Sequence, residues 1–163
     1  MAVHFYDRDD INTDLLFPGK YTYKCSTGPE IMPHLLEDLD PEFSEKVKPG
    51  DIVMAGRNFG CGSSREQPSV GLRYAGVEAV IARSFARIFY RSAINQGLLL
   101  VESPKAVDAY NPGDRVEIDP ARGVVTVGGC EFTFPPLPRE MLEILEDGGL
   151  LSHIRKDIES GRG

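Results

Sequence analysis

The sequence predicts an α/β fold with an added antiparallel meander, and three observations predict it. Between 52 and 102, apolar runs alternate with helical patterns in the order strand, helix, strand, helix, strand. Between 114 and 135, "DRVEID", "GVVTVGG" and "CEFTFP" alternate in polarity and are separated by turn residues, the signature of hairpins. Two amphipathic helical patterns then run to the C-terminus. Strands joined by helices through short connections pair in parallel by right-handed crossovers, so the β-structure as a whole is mixed. A chain of 163 residues fits one domain, 1–163, with a sizeable core.

In chain order, "VHFY" (3–6) reads as a short strand. Residues 7–30 are polar and punctuated by Pro18-Gly19, and a loop this long is expected to be functional. Residues 31–47 carry one or two short helical pieces, interrupted at Pro41. "KPGDIVMAG" gives a turn and a strand at 52–56. "SVGLRYAG" (69–76) reads as a helix that Gly76 ends in the left-handed region. "VEAVIA" (77–82) is an apolar strand rich in β-branched residues. "SFARIFYRSAINQG" (84–97) is an amphipathic helix, with Ser84 as N-cap and Gly97 as its stop. "LLLVE" (98–102) is a further buried strand, and helices are expected over 139–149 and 150–160.

Charge and cysteine usage exclude several functions. A net charge of −7 argues against a nucleic-acid or anionic-membrane surface, while leaving room for a local basic pocket. No apolar run approaches the roughly 20 residues needed to span a bilayer, and the N-terminal stretch is charged from residue 7, unlike a secretory segment. Cys25, Cys61 and Cys130 are widely spaced and none forms C-x-x-C. That suits a reducing cytoplasm and fails the spacing of zinc or iron–sulfur ligation by this chain alone. His4, His34 and His153 are equally dispersed, so no metal ligand set is assigned here and any metal would come from elsewhere.

The stretch "AGRNFGCGSSREQP" (55–68) carries the chemistry. A P-loop needs a lysine before its hydroxyl residue, and a dinucleotide fingerprint needs a third glycine where Arg65 stands; both fail. A small-anion cradle before a helix remains. Glycine lets backbone N–H groups approach a ligand, hydroxyls donate or accept, and Arg65 offers a planar fork for a carboxylate. The helix start has two readings: Ser64 with Gln67 resembles a capping box, whereas Pro68 favours the first helical position and leaves Ser63, Ser64 and Arg65 in the turn. Simple capping by the serines, with Arg65 and Glu66 solvated, is the competing account. A hydrolase triad is disfavoured, because G-x-S-x-G is absent and no histidine lies nearby.

Three blocks, "DDINTDLLFPGKY", "GDIVMAGRNFGCGSSREQP" and "VIARSFARIFYRSAINQGLL", together resemble the small-subunit swivelling domains of the aconitase family, as found in 3-isopropylmalate dehydratase and homoaconitase. The resemblance covers about the first hundred residues in order. It implies a swivelling β/β/α domain with mixed sheet structure, like the aconitase C-terminal domain. It implies a hydro-lyase of leucine biosynthesis that isomerises 2- and 3-isopropylmalate by dehydration and rehydration and is inactive without a large subunit. The implied [4Fe–4S] cluster belongs to that large subunit, and this chain binds no cofactor of its own. The implied assembly is a heterodimer or heterotetramer.

By the same resemblance Ser63 is the catalytic base, Gly62 allows close backbone approach, and Ser64 and Arg65 bind a substrate carboxylate. Glu66 is expected to orient Arg65 or the helix start, Asn12, Thr13 and Asp14 to shape the turn of the first loop, and Cys61 to be a small loop residue. Gln67 stands where many relatives carry histidine and is expected to keep a structural contact. The specificity loop is Tyr21, Thr22, Tyr23 and Lys24: relatives acting on tricarboxylates resemble one another in an arginine that aligns with Tyr23, whose ring suits an alkyl group instead. Homoaconitase and methylmalate- or dimethylmalate-type dehydratases are the alternatives within the class, and a stand-alone carboxylate-binding domain is the alternative outside it. Arg83, Arg87 and Arg91 form a stripe four residues apart on one expected helix face, either solvated or facing an acidic large subunit.

Overall fold

The structure, a computed structural model, describes residues 1–162. Its centre is a parallel sheet in the order β1 (Val3–Tyr6), β2 (Ile52–Ala55), β3 (Ala79–Ala82), β4 (Leu99–Glu102). Val3 pairs with Ile52, Ile52 with Ala79 and Ala79 with Leu99, so the four strands start level. β2 and β3 read "IVMA" and "AVIA" and are buried at every position. A strand covered on both faces needs no polar alternation.

The period of two separates two cores. Val53, Ala55, Val80, Ala82 and Leu100 face one side and join Ile11, Leu16, Phe17, Phe59, Leu72 and Phe89. Ile52, Met54, Ile81 and Val101 face the other and join Val107, Val116, Val125 and Phe134. The first side is covered by helical segments from between the strands: α1 (Thr13–Leu16), α2 (Gly28–Ile31), α3 (Phe43–Lys46), α4 (Gln67–Tyr74) and α5 (Arg87–Asn95). The second is covered by α6 (Pro104–Ala109) and an antiparallel sheet of β5 (Val116–Asp119), β6 (Val124–Val127) and β7 (Cys130–Thr133). Helices, parallel sheet and antiparallel sheet thus stack as three layers, with the two pairing modes divided between two sheets. α7 (Arg139–Glu146) and α8 (Leu150–Glu159) follow, separated by Gly148 and Gly149, both at positive φ.

Several boundaries differ from expectation for local reasons. α4 starts at Gln67 with Pro68 in its first turn and Glu66 as a cap residue that makes no side-chain bond, so the Ser64–Gln67 capping box does not form. Gly76, at φ +84°, stops it as expected. α5 starts at Arg87, with Ala86 rather than Ser84 at its N-cap. The Ser84 hydroxyl instead accepts the N–H of Asn58 at 2.8 Å, because residues 84–86 extend to pair Phe85 with Phe59. α6 is an addition: Ser103 caps it by accepting the Ala106 N–H, and Pro104 occupies its first turn. The Ser103-Pro104 pair is the start signal that sequence reading passed over.

Candidate active site

The loops leaving β1 and β2 meet at the C-terminal edge of the parallel sheet, where open α/β sheets gather ligand-binding loops. Backbone bonds continue past the strand ends and zip the two loops together. Gly56 N–H donates to Arg8, Asp10 to the Arg57 carbonyl at 2.8 Å, Gly60 to Ile11 at 2.8 Å and Thr13 to Cys61 at 2.8 Å. Asp10 and Asn58 take left-handed backbone conformations at the crossing, and the Asn58 amide donates to the Asp10 carboxylate at 2.8 Å. The Asn12 side chain then caps α1 by accepting the Leu15 N–H at 2.9 Å. This cap turns Thr13 and Asp14 toward residues 62–65.

Ser63 is exposed and lies within a polar cluster. Its Oγ accepts from Arg65 Nε at 2.8 Å and lies 3.1 Å from Thr13 Oγ1, which also accepts the Ser63 N–H at 3.1 Å. Arg65 is held at all three nitrogens: Nη1 donates to Thr22 Oγ1 at 2.8 Å and Nη2 to Asp14 Oδ1 at 2.6 Å. Gly62, at φ +103°, would place a Cβ 3.1 Å from Thr13 Oγ1, so both its backbone and the hydroxyl approach favour glycine. The Gln67 amide donates to the Thr22 carbonyl at 3.1 Å, which is the expected structural contact. A serine oxygen flanked by a fixed guanidinium and a buried hydroxyl is an arrangement that favours the deprotonated form.

The structure brings Gly62, Ser63, Arg65 and Thr22 together. Ser64 lies exposed on the same turn, and the turn precedes α4, as the Pro68 reading required. Three expectations are corrected. Among the described residues the carboxylate on Arg65 is Asp14, not Glu66; Glu66 stands at the start of α4, the other place expected for it, as an exposed cap residue whose side chain makes no capping bond. Thr13 and Asp14, read as turn-shaping residues, reach the site directly; the buried state of Thr13 is what a linear reading lacks. The arginine stripe is broken: Arg83 precedes α5 and pairs with Asp7 and Asp108, leaving only Arg87 and Arg91 on the helix.

The specificity loop divides. Tyr21 packs inward, stacked on His34 at 3.8 Å and donating its phenol to Glu37 at 3.0 Å. Thr22 binds Arg65, whereas Tyr23 is fully exposed and Lys24 exposed beside it. Burial, followed by the negative charge of Asp10, pushes the Cys61 thiol up, which opposes a reactive thiolate and suits a loop-filling role. Cys25 is buried, Cys61 sits in the β2 loop and Cys130 is exposed on β7, so the thiols do not converge. Among the described residues no group of three potential ligands gathers, and the side chains of this chain do not fit an iron–sulfur cluster. Among the described residues no helix is long and apolar enough to cross a membrane.

Comparison with known proteins identifies the family. The profile of the Aconitase C-terminal domain family matches residues 12–106. The chain is 48% identical over 151 residues to 3-isopropylmalate dehydratase small subunit 2 of Archaeoglobus fulgidus, covering 91% of this chain and 90% of that protein. It is 49% identical over 155 residues to the methanogen homoaconitase small subunit of Methanothermobacter thermautotrophicus, covering 94% and 89%. The crystal structure of 3-isopropylmalate dehydratase from Methanocaldococcus jannaschii superposes with a TM-score of 0.86 at 40% identity, covering 99% of this chain and 97% of that one.

Proposed function

The chain belongs to the Aconitase C-terminal domain family, and from that membership we propose that it is the small subunit of a 3-isopropylmalate dehydratase, a hydro-lyase of leucine biosynthesis. Residues 1–163 form one swivelling domain in this proposal, and turnover requires a large subunit. That subunit holds the [4Fe–4S] cluster, which supplies a Lewis acid for the departing hydroxyl. The three free cysteines support residence in a reducing cytoplasm.

One observation carries the assignment of roles: Arg65 Nε donates to Ser63 Oγ at 2.8 Å on an exposed turn. As alkoxide, Ser63 takes the proton from the carbon adjacent to the hydroxyl-bearing one. The C–H electron pair becomes the new double bond as the hydroxyl leaves, and the proton is returned on rehydration. Arg65 stabilises the oxyanion before and after the transfer. Its N–H groups not engaged by Ser63, Thr22 and Asp14 face a substrate carboxylate, with the Ser64 hydroxyl and Gly62 beside them. Tyr23, with its ring in solvent on the loop that Thr22 ties to Arg65, offers an apolar surface for a branched alkyl group.

The identity to a homoaconitase small subunit supports a second reading, in which Lys24 meets the additional carboxylate of homocitrate. Reconstitution with a cluster-loaded large subunit tests both. Turnover of 3-isopropylmalate by the mixture and by neither part alone is expected, with Ser63→Ala at least about 10³-fold slower. Preference for homocitrate would replace the first substrate with the second. Full activity of Ser63→Ala would remove the base assignment.

A further inference from the structure

We infer that Thr13 is a positioning residue for the Ser63 alkoxide, supplying a second hydrogen-bond donor whose direction becomes fixed only when Ser63 loses its proton. This rests on the proposed role of Ser63. Thr13 is 2% exposed, so its hydroxyl is withheld from bulk water. The Ser63 N–H donates to Thr13 Oγ1 at 3.1 Å, and the same oxygen lies 3.1 Å from Ser63 Oγ. With Ser63 protonated, either hydroxyl can donate to the other. Once Ser63 is an alkoxide it can only accept, so the Thr13 proton must point at Ser63 Oγ. Arg65 Nε completes a two-donor cradle from the opposite element.

A bond that becomes obligatory in the charged form lowers the free energy of that form specifically, as differential stabilisation requires. The placement of Thr13 has little freedom. Its own N–H is bound to the Cys61 carbonyl at 2.8 Å, Asn12 caps the helix it begins, and Gly62 leaves the space through which its hydroxyl reaches Ser63. No other hydroxyl is bonded to Ser63 among the described residues.

Thr13→Val keeps the shape and removes the hydroxyl; Thr13→Ser restores it. In the enzyme reconstituted with its large subunit, Thr13→Val is expected to lower kcat about 10- to 100-fold with KM within about threefold, and to move the alkaline-rising limb of the kcat profile to higher pH. Thr13→Ser should stay within about fivefold of the parent on both measures. In the isolated chain, NMR of the Arg65 Nε–H group supplies an independent readout. Its solvent exchange should quicken at least about tenfold in Thr13→Val and not in Thr13→Ser, because Ser63 Oγ loses its fixed orientation. Unchanged kcat or unchanged exchange in Thr13→Val, or equal losses in both variants, overturns the inference. An inactive parent mixture would contradict the functional reading instead, and the exchange measurement would still decide the role of Thr13.

Discussion

Replacing Arg65 with lysine keeps the charge and removes the geometry. The three acceptors around Arg65 each meet a different nitrogen of its plane: Ser63 Oγ at Nε, Thr22 Oγ1 at Nη1 and Asp14 Oδ1 at Nη2. A single ammonium on a flexible stem cannot occupy all three positions. The contact with Asp14 contributes little to stability, because Asp14 is 73% exposed and water screens the pair, so that share is at most about 1 kcal/mol. In the proposed role of Ser63 as base, the bond to Ser63 matters for rate. A charge-assisted hydrogen bond of this kind is worth about 1.5–3 kcal/mol, and its loss at the alkoxide falls on the barrier. At about 1.4 kcal/mol per factor of ten, kcat should fall about 10- to 100-fold. Thermal stability should change by no more than about 1.5 kcal/mol. Steady-state turnover of 3-isopropylmalate by the reconstituted enzyme, alongside thermal melts of the isolated chain, measures both. A kcat for Arg65→Lys within about threefold of the parent, with an unchanged melt, would refute the claim that the guanidinium plane organises Ser63.

Other parts of the molecule give further tests. Gly71 lies inside α4, where alanine would ordinarily gain about 1 kcal/mol by helix propensity; its Cβ would stand 2.5 Å from Ile31 Cγ2 and 2.7 Å from Leu35 Cδ2, so Gly71→Ala should instead destabilise by about 1–3 kcal/mol in denaturant titration. Asp51 is buried at the start of β2, and although burial acts to raise its carboxyl, bonds from the Ala2 N–H, His4 and the Lys48 N–H outweigh that and hold it below the usual range. A lowered folded-state value means stability that is present above the unfolded carboxyl range and lost as pH falls through the folded one. Asp51→Asn should therefore flatten the acid limb of the stability curve and cost about 2–3 kcal/mol near neutral pH. Cys61, with its thiol pushed up, should be alkylated by iodoacetamide at neutral pH more slowly than exposed Cys130, as mass spectrometry of partly labelled chain would record.

Local patterns in the sequence located most of the elements and the polar turn of the candidate site. The apolar runs at 52–56, 77–82 and 98–102 can bury both faces of a strand, and that alone demands layers on either side. Glycine at 62, hydroxyls at 63 and 64 and a guanidinium at 65 sit within one turn, so their proximity is a property of the chain itself. The polarity and the Pro18-Gly19 pair of 7–30 mark a turn-rich segment, which the structure shows to carry short helical pieces. What sequence could not supply was partnership across about fifty residues. That Asp14 rather than Glu66 meets Arg65, that Thr22 closes the third side and that Thr13 reaches Ser63 all follow from β1 pairing in parallel with β2. The pairing brings the two following loops together, and their backbone bonds beyond the strand ends fix the offset between residue 13 and residue 61. Ser84 shows the converse: a residue with the local credentials of a cap is drawn away because the chain around it extends to meet Phe59. Local chemistry chose the polar turn. Tertiary register chose the groups that tune it, because side-chain polarity is written in a residue while distance is written only in the fold.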